Sequence, residues 1–104
     1  KMGIKTIFFP LDSKKDFNLP MLLKRIKLLG FSRILLEAGA NININFAKEK
    51  LIDFIYLFIS NRYIRKSGLL KINKFINLIN KKAINIKTED INLGGETSKI
   101  FRLK

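Results

Sequence analysis

The stretch ILLEAGANININFAKEKLIDFIYLFIS, residues 34 to 60, decides the fold of this chain. It opens with a short apolar run, Ile34, Leu35 and Leu36, that ends in a single acid, Glu37. Ala38, Gly39 and Ala40 follow, and then Asn41. That order reads as a buried strand, a tight turn, and the start of the next element. Small residues at such a turn let another backbone or a ligand come close. A helix beginning near Asn41 would point its free N–H groups over the turn, where they suit anions such as phosphate. The same residues also fit a plain β-to-α turn whose strand-end acid faces water.

The next piece is ambiguous in period. Asn41 to Phe46 alternates polar and apolar, which is a strand signal, yet a second apolar run begins just after Asp53. A crossover between parallel strands needs about a dozen residues and is normally helical. Length therefore predicts a helix over 41–49, capped by Asn41, with Ile42, Phe46 and Ala47 toward a sheet. Asp53 to Ser60 is β by composition, and its aromatics Phe54, Tyr56 and Phe58 fit a buried strand.

Outward from that stretch the elements follow. Gly3 to Phe9 is a short β-rich run closed by Pro10. Asn18 is a candidate N-cap with Pro20 in the first turn. Leu22, Leu23, Ile26 and Leu29 recur at helical spacing, and Gly30 suits the stop, so a helix is predicted over 19–29. Arg33 to Glu37 reads as a central parallel strand, apolar without alternation. Asn61 to Gly68 reads as a polar, basic loop. Ile72, Phe75, Ile76 and Ile79 predict a helix over 70–80. Ala83 to Leu93 alternates, Gly94–Gly95 signals a hairpin, and Ser98 to Leu103 returns. The order predicts one α/β domain of three layers, its mixed sheet mostly parallel with a C-terminal antiparallel hairpin.

Composition limits the chemistry. The 104 residues suffice for one small domain, and 47% are hydrophobic, enough for a core. Cys and His are both absent, so a zinc site and a Ser–His or Cys–His pair are not expected. No metal is expected, and no catalytic residue can be named. The formal net charge is +13. Lys and Arg are scattered rather than clustered, beside abundant Ile and Asn, which points to composition and not to a specific nucleic-acid partner. No segment reaches the roughly 18 apolar residues of a membrane span, and no signal peptide is evident, so a cytoplasmic protein is expected.

The order of motifs resembles the C-terminal reductase domain of bifunctional riboflavin-biosynthesis deaminase–reductases. Glu37–Ala38–Gly39 after an apolar strand is similar to that family's Glu-Gly-Gly or Glu-Ala-Gly, and Leu51–Ile52–Asp53 to its Leu-Val-Asp. The resemblance implies a dihydrofolate-reductase-like fold, of which this chain, 1–104, would be the C-terminal portion. It implies NADPH-dependent reduction of a phosphoribosylaminopyrimidine on the way to riboflavin, and a homodimer. By the resemblance, Glu37 contacts substrate, and Gly39, Ala40, Asn41, Ile42, Asn43, Ile44 and Asn45 contact the cofactor. Glu37→Gln would then depress turnover. The chain departs from the pattern at Phe54, where an acid is usual, at Ser60–Asn61 in place of Ala-Pro, and at Ala40, where Pro is common. The implied domain is about twice this length, so an incomplete catalyst is expected. Two rival classes remain: a basic nucleic-acid-binding module and a non-catalytic dimerisation domain. Membrane-surface binding by the 70–80 helix competes with a simpler core role for its apolar face.

Overall fold

The computed structural model describes residues 3–60, 69–91 and 94–104. The basic loop expected over 61–68 lies outside them. The chain forms two compact units, Lys1–Leu35 and Leu36–Lys104.

The first unit holds helix α1, Leu19–Leu28. Its start follows from Asn18, whose side-chain oxygen accepts the Met21 N–H at 3.1 Å, and from proline in the first turn. Its end follows from Gly30, at φ +96°, whose N–H reaches the Lys27 carbonyl at 2.9 Å. Arg25 and Lys27 sit in the last turn, where cations complement the helix dipole. Ahead of the helix, the Asp12 carboxylate accepts the N–H groups of Lys14 and Asp16, at 2.8 and 2.9 Å, and folds 12–16 into a turn. The Phe9 and Phe17 rings approach with centroids 6.1 Å apart. Because one side chain fixes the helix start, Asn18→Ala should cost α1 about 1 kcal/mol. Slower amide exchange at Met21 in the variant than in the parent would contradict this.

The second unit has the order α2 (Ala40–Lys48), β1 (Phe54–Ile59), α3 (Leu69–Lys82), β2 (Asn85–Ile91) and β3 (Glu96–Arg102). The three strands form one sheet in the order β1-β3-β2, and both pairings are antiparallel. Strands β1 and β2 run in the same sense and are joined through α3, as a crossover would demand. They do not touch, because the returning hairpin strand lies between them. The hairpin turns at Gly94 and Gly95, with φ of +95° and +87°, a region open to glycine at little cost.

This corrects the expected architecture. The sheet is neither mostly parallel nor mixed, so the dihydrofolate-reductase-like fold is not what residues 36–104 adopt. Neither 3–9 nor 33–37 carries a strand. An apolar run becomes a strand only when a neighbour takes its backbone hydrogen bonds, and here the three later strands satisfy one another. The apolar side chains of the two earlier runs are largely exposed, Phe8 at 96% and Leu35 at 80%. The helices match their expected spans to within about a turn.

The core of the second unit is a cluster of Ala47 from α2, Phe75 and Ile79 from α3, and Phe101 from β3. Ile44, Ile55, Leu57 and Leu78 pack against it. Both helices therefore cover the same face of the sheet, giving two layers. The buried row of α2 runs through Ile44 and Ala47, not through Ile42, which is 51% exposed.

Candidate functional site

Strand residues alternate between faces. Ile55 and Leu57 pack into the core, which sends Phe54, Tyr56 and Phe58 to the opposite side. These three are 53%, 60% and 72% exposed. Their partners across the ladder share that side. Phe54 lies opposite Arg102 and then Asn85; Tyr56 opposite Ile100 and then Lys87; Phe58 opposite Ser98 and then Glu89. The face turned away from α2 and α3 is thus three rows deep, with a file of exposed aromatic rings along one edge strand and small, aliphatic or charged residues beside it.

Two of the charges on this face offset each other. Lys87 forms an ion pair with Glu89, two residues along the same strand. The hydrogen bond and charge of Glu89 raise the Lys87 pKa above its ordinary value of 10.5. A raised lysine pKa favours the fold below the unfolded-state value and stops doing so as pH climbs through the folded one. The Lys87 side of the pair therefore holds through neutral pH and fades in alkali. Glu89→Gln should lower the Lys87 pKa, read by NMR titration of its ammonium; an unchanged titration would mean the pair does not form. Arg102 donates its Nε–H to the Lys104 carbonyl at 2.7 Å, which holds the base of its guanidinium in place.

The residues expected to contact substrate and cofactor lie at the turn into α2 and in its first turns. Gly39 caps α2 with extended backbone and no side-chain bond, and its carbonyl receives the Asn43 N–H at 3.2 Å. The Asn43 amide turns back to donate to the Ala38 carbonyl at 2.7 Å, so it braces the turn. Ile44 is a core contact. Ala40 is half-buried, while Glu37, Asn41, Ile42 and Asn45 are exposed. The segment thus splits into a brace, a core residue and a solvated remainder.

A shallow cleft of about 270 Å³ lies elsewhere in this unit, lined by Ala47, Lys50, Ile52, Lys82, Leu103 and Lys104. Three lysines over an apolar floor suggest an anion site, but α2 and α3 both end beside it. Helix C-termini carry the negative pole, and lysine there is the ordinary complement. Lys104 also meets Asp53 at 3.6 Å, a surface pair of small worth. The cleft therefore has a structural account of its cations. Among the described residues no group of acids could hold a metal ion, and no helix is long and apolar enough to cross a membrane.

Composition led to burying the aromatics of β1, and the signal that places them was in the sequence. Aromatic and aliphatic side chains alternate strictly from Phe54 to Ile59. Such a strand has two different faces, and only one can meet the helices. No protein-family model matches the chain, and neither a characterised protein nor a solved structure matches it.

Proposed function

We propose that the face of the sheet turned away from α2 and α3 binds single-stranded nucleic acid without base specificity. The observation that carries this is the file of Phe54, Tyr56 and Phe58, exposed on the side away from the helices. Open sheet faces with exposed rings are stacking platforms for unpaired bases, and stacking tolerates any base because each has a π-face. The rings need an anionic partner to be brought to them. A net charge of +13 attracts polyanions at long range and disfavours a second copy of the same chain. Arg102 stands in the same row as Phe54, where a phosphate flanking a stacked base can meet a guanidinium.

Charge and stacking divide the work. On the face itself Glu89 offsets Lys87 and Arg102 is left as the net positive charge, so most of the steering comes from the lysines and arginines spread over the rest of the chain. Binding should weaken with salt by counterion release. Paired duplex cannot offer its base faces to the rings and should compete poorly at moderate salt. Anisotropy of a labelled twelve-base single strand, with unlabelled single strand and duplex as competitors, tests this. Duplex competing as well as single strand would reduce the interaction to charge alone and defeat the proposal.

A further inference from the structure

Resting on that reading, we infer that the face takes its strand extended and unstacked, one nucleotide per ring, along β1. Phe54, Tyr56 and Phe58 are separated by two residues each on one strand. Successive rings are then rooted ~6.8 Å apart, about twice the ~3.4 Å rise between stacked bases. Neighbouring bases in a stacked strand are too close to take neighbouring rings.

The face adds a second constraint. All three rings rise from the same side of one strand, so bases lying on them sit side by side and not one on another. Each base must leave its neighbour before it can cover a ring. The floor beside the rings suits bases laid flat. Half-buried Ile100 lies opposite Tyr56 and offers an aliphatic floor there, while Ser98, opposite Phe58, is 6% exposed and already covered by its neighbours. The ligand class is therefore a single strand of low internal stacking, and the site spans about three nucleotides, one for each of the three rings.

The test uses hexa-adenylate, whose stacked bases give a strong exciton band in circular dichroism. Anisotropy first establishes saturation by the whole chain. The band should then fall by more than half, because three adjacent bases leaving the stack break at least three of its five base–base contacts. A band that persists at saturation overturns the extended register, even if Phe54→Ala, Tyr56→Ala and Phe58→Ala all still weaken binding. If hexa-adenylate does not bind, or binds with no loss in those three variants, the stacking face itself is wrong and the register falls with it. Loss of a self-associated state in the same variants, seen by sedimentation without nucleic acid, would instead assign the face to a second copy and overturn both.

Discussion

Phe101→Ala should unfold the second unit or leave it barely folded. Phe101 is 1% exposed and sits in the central strand. It is the point where both helices and the sheet meet, through Ala47, Phe75 and Ile79. Removing a buried phenyl ring costs about 3–5 kcal/mol, the lost transfer energy plus the cavity left behind. Small domains have total stabilities of only about 5–15 kcal/mol, and this unit has one small core from which to supply it. Urea unfolding followed by far-ultraviolet circular dichroism measures the loss. Phe101→Leu should recover a good part of it, because most of the buried volume returns. A Phe101→Ala protein with an unchanged midpoint would mean that β3 is not the centre of the sheet.

The second large effect is on binding and should leave stability almost untouched. Tyr56→Ala removes a ring that is 60% exposed, so the fold should change by no more than about 0.5 kcal/mol. Base–aromatic stacking is worth about 1–3 kcal/mol per base by alanine substitution, which is a fall in affinity of roughly 5- to 150-fold. Tyr56→Phe keeps the π-face and should bind nearly as the parent does. Phe58→Ala should resemble Tyr56→Ala. Ile100→Ala, in the same row as Tyr56, should lose less, because it offers a floor and not a ring. The salt dependence should be the same in the parent and in Tyr56→Ala, since the substitution takes away no charge. Equal affinities for the parent and Tyr56→Ala would remove the ring file from the interface.

The contrast between these two residues shows what the sequence makes legible. Both are aromatic, and both lie in strands that composition identifies. The helices could be read almost to their ends, because caps and periodicity are local signals: Asn18 and Gly30 bracket α1, and Phe75 and Ile79 mark the inner face of α3. The hairpin was equally local, written in Gly94–Gly95. Pairing order is not local. The length between Glu37 and Asp53 predicted a helix correctly, but the unbroken apolar run at 33–37 read as a strand that no neighbour satisfies. The same-sense arrangement of β1 and β2 was implied by α3 between them. Nothing in the spacing said that β3 would take the gap. The segment 37–45 was legible as a turn followed by a helix, but the bond by which Asn43 braces that turn was not. Whether Asn43 reaches a ligand or the Ala38 carbonyl depends on a few ångströms of backbone geometry.

The middle position of β3 also bears on how this unit is made. The two strands synthesised first, β1 and β2, have no hydrogen bonds to each other and are each other's neighbours only through a third. As the chain leaves the ribosome, helices can form in turn, but every interstrand bond waits for residues 96–102 to emerge. Sheet assembly therefore cannot begin before β3 is available. Until it occurs, the nascent chain holds two unpaired β-prone segments that only the last one can join.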